Sequence, residues 1–213
     1  MPKYSKEKFL DYIRAFNTPD WEKQHSFYAK DVTLALPRGD GLPTFKGSQE
    51  IKNHYGPLLD NFVEHVVPLE LMIEEDKIFF MMETNFKAKK AAHGPAGFDC
   101  VPGDVIRVEV WALYRMEGDL MKTIVTNQHT GEFLGQEKTF EERIKESQSR
   151  ADKELLAILY GWNGLSNRPQ LWQARFRLPI TFFPKKGLKM SVQEIKRRGK
   201  RKVLDCFTVE NIR

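Results

Sequence analysis

The amino-acid sequence predicts an α+β fold in which helices come first and a curved, mostly antiparallel sheet follows. Apolar residues recur at helical spacing up to about residue 62, and beyond it they alternate with polar residues in two long hairpins. A chain of 213 residues, 41% of them hydrophobic, is long enough for one core with an appendage. We therefore expect one principal domain and no second full domain.

The first part of the chain has three helical patterns and one strand pattern. The first helix begins at a serine N-cap and ends before an Asn-Thr-Pro sequence, and the second begins at an aspartate N-cap. A turn-rich segment with three glycine or proline breaks separates the strand from the third helix. The predicted elements are a helix from Ser5 to Asn17, a helix from Asp20 to about Tyr28, a strand over residues 31–36 and a helix from Ser48 to about residue 62.

The next part of the chain is predicted to form a meander. A strand over residues 64–74 turns at residues 75–76, and a second hairpin turns at residues 118–119. The connection over residues 87–103 is rich in Gly, Pro and Ala, which is typical of a lid or binding loop. Strict alternation points the following side chains inward: His65, Val67, Leu69, Leu71 and Ile73 in the first hairpin, and Tyr114, Val125, Asn127 and His129 in the second.

Charge is distributed unevenly along the chain. Residues 150–213 contain 15 Lys and Arg against 5 Asp and Glu, whereas the first 149 residues contain 19 against 24. We predict a domain over residues 1–135, followed by an appendage over residues 136–213 that contains a helix over residues 139–160 and a basic extension of unknown fold. A basic run is usually a solvated segment, so nucleic-acid binding by the extension is not expected.

Composition also excludes several classes of protein. No apolar run approaches the length of a membrane span, and the N-terminus lacks the apolar core of a secretory signal, so an intracellular and cytoplasmic location is expected. The two cysteines, Cys100 and Cys206, are too few for a disulfide framework and are expected to be free thiols. The sequence has no phosphate-binding loop motif, no dinucleotide-binding motif and no His or Cys residues at the spacing of metal ligands.

Three segments carry a resemblance to a known family. They are FYAKDVTLALPRG from Phe27, FKGSQEIKNHYGPLL from Phe45 and ALYRMEGDLMKTIVTNQHTGEFLGQ from Ala112. With the element order, they resemble the SnoaL-like branch of the NTF2-like superfamily over about residues 6–135. The resemblance implies a cone-shaped barrel in which the sheet wraps around three N-terminal helices. The C-terminal helix and basic tail, which are predicted from the residues, lie outside the segment that carries the resemblance.

The family includes polyketide cyclases, scytalone dehydratases, ketosteroid isomerases, epoxide hydrolases and fungal small-molecule isomerases, together with non-catalytic binding proteins. The fold alone therefore does not fix the function. The resemblance implies an enzyme that uses pocket acids and bases without a metal or redox cofactor. The aspartate often found on the family's last strand is not obvious here, and Asn127, His129 and Glu132 occupy that neighbourhood.

Four residues are candidates for catalysis. Tyr114 and Arg38 are expected to stabilise or protonate a substrate oxygen, since a phenol donates a hydrogen bond and a guanidinium binds oxygen bidentately. His129 or Glu132 is expected to move the proton. Alternatively, the tyrosine and histidine are structural, and the arginine and glutamate are solvated. The candidates for substrate contact are Tyr28, Tyr55, His65 and Asn127.

Apolar residues on the opposite face of the sheet suggest a partner surface. Phe79, Met81 and Trp111 point away from the predicted cone, and an apolar outer face is typical of an interface. We expect a homodimer through this face; the alternative is that the helix after residue 139 covers it.

The sequence supports two principal hypotheses of function. The first is a cofactor-independent isomerase, cyclase or dehydratase that acts on an apolar polycyclic or polyketide-like metabolite by acid-base catalysis. The second is a non-catalytic binding or dimeric interaction module with a basic tail. A deep cavity would favour the enzyme, and a filled cone would favour the module.

Overall fold

The computed structural model describes residues 4–36 and 43–161, and the α+β prediction is confirmed. The predicted order of two helices, a strand and a third helix is also found. The elements are α1 (Lys6–Asn17), α2 (Trp21–His25), β1 (Tyr28–Ala35), β2 (Thr44–Lys46), α3 (Gly47–Asn61), β3 (Phe62–Glu74), β4 (Lys77–Ala88), β5 (Ala92–His93), β6 (Asp99–Cys100), β7 (Val105–Glu117), β8 (Leu120–Gly135), α4 (Phe140–Arg150) and α5 (Lys153–Tyr160).

The helix starts follow from side-chain capping. Ser5 accepts a hydrogen bond from the Lys8 backbone at 3.1 Å, and Asp20 caps α2 as predicted. The second helix is shorter than predicted, because the chain is already extended at Tyr28. The cap of α3 also differs from the prediction: helical backbone begins before Ser48, and the Glu50 carboxylate accepts the Lys46 backbone N–H at 2.7 Å.

Six strands form one mixed sheet in the order β2-β1-β8-β7-β4-β3. All neighbours are antiparallel except β1 and β8, which run parallel. The short strands β5 and β6 form a separate ribbon within the predicted lid connection. The helices α1 and α3 pack on the inner face of the sheet, where Phe9 contacts Phe80 and Tyr114 with ring centroids 5.0 and 5.1 Å apart.

A bulge in the first hairpin changes which residues face inward. Near the turn, Leu71 pairs with Phe80 and Ile73 with Ile78, as predicted. The pairing then shifts between Pro68 and Glu70, because one extra residue is inserted at this point. Beyond the bulge, the inward residues are Val66 and Glu64, whereas His65, Val67 and Leu69 face α4 and α5. The predicted inward orientation of His65 is therefore wrong.

Two bulges have the same effect in the second hairpin. Met116 pairs with Met121 as predicted, but Tyr114 pairs with Ile124 rather than with Thr123. A second shift lies between Glu109 and Val110. The inner face near the cavity is consequently formed by Ile124, Thr126 and Gln128, one residue out of step with the predicted set.

Two helices, rather than the single predicted one, follow the sheet. Thr139 and Glu142 form a reciprocal capping box at the start of α4. The backbone becomes extended at Ala151, and Asp152 caps α5. No helix of the described residues is long and apolar enough to cross a membrane. The basic run within residues 196–202 lies outside the described residues.

The predicted partner surface is partly covered. Met81 packs with Val67, Leu69 and the residues of α4 and α5, which agrees with the alternative interpretation for this part of the sheet. Phe79 and Trp111 lie edge to face at 6.3 Å, and Trp111 remains 38% exposed. Dimerisation through the exposed part stays a prediction.

Candidate functional site

The cone encloses a cavity of about 670 Å³ between α1, α3 and the inner face of the sheet. Its walls are mostly apolar, with Phe16, Leu58, Met82 and Val110 among the lining residues. A few polar side chains converge on this apolar space, which is the usual composition of a small-molecule site. The polar and titratable lining residues that concern the site are Tyr12, Tyr28, His54, Tyr55, Glu64, Thr84, His93, Tyr114, Thr126, Asn127 and Gln128.

Four tyrosines gather at one side of the cavity. The hydroxyls of Tyr12 and Tyr28 lie 2.9 Å apart, and the amide of Gln24 donates to Tyr28 at 3.3 Å. Tyr114 interacts with Tyr12, and their ring centroids are 6.1 Å apart. Burial raises the pKa of all four phenols, the fourth being Tyr55, above the ordinary value of 10.0. They are therefore neutral hydrogen-bond donors at physiological pH.

A single carboxyl group faces the same cavity. Burial raises the pKa of Glu64 from 4.5 to about 7. Tyr28 and Tyr55 are close enough for the charge of Glu64 to raise their pKa values further. Within residues 4–36 and 43–161, no side chain forms an ion pair or hydrogen bond with this carboxyl. A desolvated carboxyl with no partner is costly to fold and is a recognised mark of a functional site.

The bulge explains why strict alternation missed Glu64. An even alternation from Ile73 back to His65 turns the glutamate outward, whereas the extra residue at Leu69 turns it inward. The signal that was available is Pro68, because proline within a strand is typical of edge strands and bulges. Tyr12 and Gln24 were also missed, because each looked like an ordinary position on its helix.

Three of the eight predicted site residues meet in the cavity, and a fourth lies at its rim. Tyr28, Tyr55 and Tyr114 line it, although Tyr28 does so from the first position of β1 and not from the end of a helix. Asn127 contributes to the lining but is exposed. Arg38 lies outside the described residues.

The remaining three predicted residues lie outside the cone. The His65 ring places Nε2 3.0 Å from the Tyr160 hydroxyl, and burial lowers the pKa of His65 to about 4. His129 stacks on Trp111 on the outer face, with ring centroids 4.5 Å apart. Glu132 is 63% exposed and accepts a hydrogen bond from Arg107 at 3.4 Å on the outer face. None of these three residues shares the cavity with Tyr114. One bulge turns His65 outward and another lies at His129, whereas Glu132 lies outward because β8 continues as a strand to Gly135.

The lid connection covers one side of the cavity with residues 93–97. This turn fits closely against the sheet: a Cβ added at Gly131 would lie 2.3 Å from the Cβ of Ala96. A Cβ at Gly94 would lie 2.7 Å from Ile106 and 2.9 Å from Phe62. The two glycines therefore allow the turn to lie directly on the sheet at the cavity wall.

A family model identifies the type of domain. The family model described as the SnoaL-like domain matches residues 9–124, a segment that includes Glu64 and the four tyrosines. No curated protein matches the sequence.

Several solved structures are similar in fold. An NTF2-like protein of unknown function from Burkholderia pseudomallei K96243 is 15% identical, and the alignment covers 68% of this chain and 98% of that protein with a TM-score of 0.45. A protein from Xanthomonas campestris pv. campestris, named as a proposed polyketide cyclase, is 15% identical over 67% of this chain and 96% of its own, with a TM-score of 0.48. A proposed ketosteroid isomerase from Kribbella flavida DSM 17836 is 10% identical, with coverages of 59% and 78% and a TM-score of 0.43. At these identities, the likeness concerns the fold alone.

Proposed function

Because the chain belongs to the SnoaL-like domain family and has its NTF2-like α+β fold, we propose that it is a cofactor-independent isomerase, cyclase or dehydratase of an apolar small molecule. The observation that carries the proposal is the placement of Glu64, a buried carboxyl without a partner among the described residues, beside neutral phenols in an apolar cavity. The substrate class we propose is a polycyclic or polyketide-like metabolite, which the aromatic walls can contact over a large area.

The chemistry begins with proton transfer to Glu64. Because its pKa is about 7, the Glu64 carboxylate is a stronger base than an ordinary carboxylate. About half of the protein molecules still carry Glu64 in the ionised form at neutral pH. It accepts a proton from a carbon next to a substrate carbonyl, and the electron pair of the broken C–H bond moves to the carbonyl oxygen. The protonated carboxyl then returns the proton to another carbon or to a leaving oxygen. Return to carbon gives isomerisation, and return to a leaving oxygen gives dehydration.

The phenols stabilise the charge that develops on the substrate oxygen. Tyr114 is neutral at physiological pH and can donate a hydrogen bond to an enolate oxygen in the mostly apolar cavity. The contact with Tyr12, itself bonded to Tyr28, holds the phenol in place. Glu64 thus takes the proton-moving role predicted for His129 or Glu132, both of which lie on the outer face. The lid over residues 93–97 would exclude water during the reaction.

A non-catalytic binding module is the second candidate. The open cavity of about 670 Å³ also suits storage of an apolar ligand. However, a storage pocket for a neutral apolar ligand gains nothing from a desolvated carboxyl whose pKa lies near neutrality, so this observation favours the enzyme over storage of such a ligand.

Comparative metabolite profiling of the native host tests the proposal. The gene is deleted and then complemented with wild type, with Glu64→Gln, with Tyr114→Phe or with His129→Gln, a control on the outer face. In the deletion strain we expect the substrate to accumulate and its product, either an isomer or a compound that differs by one water, to be lost. Glu64→Gln should restore the profile poorly, because glutamine cannot accept the proton at neutral pH. Wild type and the control should restore the profile, whereas Tyr114→Phe should restore it poorly. Unchanged profiles on deletion would replace the enzyme with the binding module.

A further inference from the structure

The cavity wall has no positive charge of its own among the described residues that line it. Its ionisable side chains are one carboxyl, four phenols and two histidines, His54 and His93. No lysine or arginine from residues 4–36 and 43–161 belongs to the lining. Among these residues an anionic ligand would lose its hydration and meet the Glu64 carboxyl without a lysine or arginine to pair with, so this part of the wall disfavours carboxylates and phosphates.

The same wall provides what a cation needs. Aromatic rings attract a cation over their faces, and phenol oxygens accept N–H hydrogen bonds. The four tyrosines of the cavity form one cluster, because each interacts electrostatically with the other three. The charge of Glu64 also acts on Tyr28 and Tyr55. A carboxylate inside a cluster of tyrosines is a typical environment for an alkylammonium group.

From this arrangement we infer that the ligand of the cone carries a basic nitrogen, which binds in its protonated form between Glu64 and the tyrosine cluster. The inference rests on the proposed function, because it names the substrate class for the same cavity. It goes beyond that function, since a polycyclic ketone without nitrogen would satisfy the acid-base chemistry equally well.

Glu64 can bind the ammonium group of the ligand and also accept the proton from carbon. Pairing with an ammonium group stabilises ionised Glu64, which lowers its basicity. A positively charged nitrogen near the reacting carbon makes the C–H bond more acidic and so offsets this effect. One carboxylate oxygen can accept the N–H hydrogen bond while the other accepts the carbon-bound proton.

The test uses three probes that share one naphthalene skeleton and differ in charge. They are N,N-dimethyl-2-(2-naphthyl)ethylamine, its neutral carbon isostere 2-(3-methylbutyl)naphthalene, and 3-(2-naphthyl)propanoate. Affinities for the full chain are measured by calorimetry or by ligand-observed NMR at pH 8. We expect the amine to bind at least about tenfold more tightly than the isostere, as a desolvated charge pair would provide, and the propanoate to bind most weakly.

Glu64→Gln and pH provide the controls. The variant is expected to bind amine and isostere within about twofold of each other, because the charge pair is lost. For wild type, amine affinity should fall about tenfold from pH 8 to pH 6, because protonation of Glu64 near pH 7 removes its charge while the amine stays protonated. The four tyrosines facing Glu64 stay neutral over this range, and His54 and His93 are present in both proteins, so the variant isolates the carboxyl.

Several results would overturn the inference. It fails if the isostere or the propanoate binds wild type as tightly as the amine, if the amine does not bind, or if the preference survives in Glu64→Gln. Failure of the inference is distinguishable from failure of the proposed function. A chain that shows no amine preference, but needs Glu64 to restore the metabolite profile, is an enzyme with a neutral substrate. A chain that prefers amines, but restores the profile without Glu64, does not use that residue for catalysis.

Discussion

Glu64→Gln is expected to slow the conversion identified by metabolite profiling by about 10²- to 10⁴-fold, the usual contribution of a general acid or base. Glutamine has nearly the same shape and remains a hydrogen-bond donor and acceptor, but it cannot accept the proton at neutral pH. Turnover of the purified variant with the identified compound measures the loss. A rate within threefold of wild type would show that the proton moves through another group.

The same variant is expected to be more stable than wild type at high pH. The pKa of Glu64 is about 7 in the folded protein and about 4.5 when the group is solvated, so the folded state binds more protons between these values. The stability of wild type therefore falls by about 3 kcal/mol as pH rises from 4.5 through 7, and glutamine removes this loss. Urea unfolding at pH 5 and pH 8 measures it, with Glu70→Gln, an exposed carboxyl on the same strand, as the control.

Arg107→Met is expected to destabilise the protein by about 2 kcal/mol, because it removes a buried charged donor from Glu83, Asn85 and Glu146. The arginine side chain is only 10% exposed; it lies 3.4 Å from Glu83 and 2.9 Å from Glu146. It also donates to the Arg143 carbonyl at 3.2 Å. Methionine keeps the apolar stem, so the loss concerns the charge and the hydrogen bonds.

Urea unfolding at pH 7 measures this effect beside Glu132→Gln. That control removes the exposed partner of Arg107 and should change stability by less than about 1 kcal/mol. Equal losses in the two variants would contradict the view that the buried part of the network holds α4 on the sheet. Glu132→Gln should also leave the metabolite profile unchanged, because Glu132 pairs with Arg107 on the outer face and does not line the cavity.

Local signals in the sequence were sufficient for the starts of the first two helices and for the two hairpin turns. The Ser5 and Asp20 caps were found because a capping side chain acts within three residues of its own position. Pairing near each turn was also predicted, as for Ile73 with Ile78 and Met116 with Met121. Register is most secure where the turn fixes it.

Errors accumulated away from the turns, because each bulge adds one residue and reverses every later side chain. Bulges depend on the curvature that the sheet adopts around the helices, which alternation cannot express. The inward orientation of Tyr55 and Tyr114 was predicted correctly, since Tyr55 lies on a helix and the extra residues next to Tyr114 lie on β8, which leaves the alternation of β7 unchanged. His65 lies beyond a bulge and His129 lies at one, so both were misplaced, and Glu64 was overlooked for the same reason. Glu132 lies on the outer face because β8 continues as a strand to Gly135.

The most direct test of the central claim is the titration of the Glu64 carboxyl itself. Carbon-13 NMR of the side-chain carboxyls follows each glutamate from pH 4 to pH 9, and the signal missing in Glu64→Gln assigns the group. A midpoint near pH 7 is the predicted result, because burial favours the protonated form and no described residue pairs with this carboxyl. A midpoint near 4.5 would mean that Glu64 is solvated or paired, and the proposed proton-transfer site would be wrong.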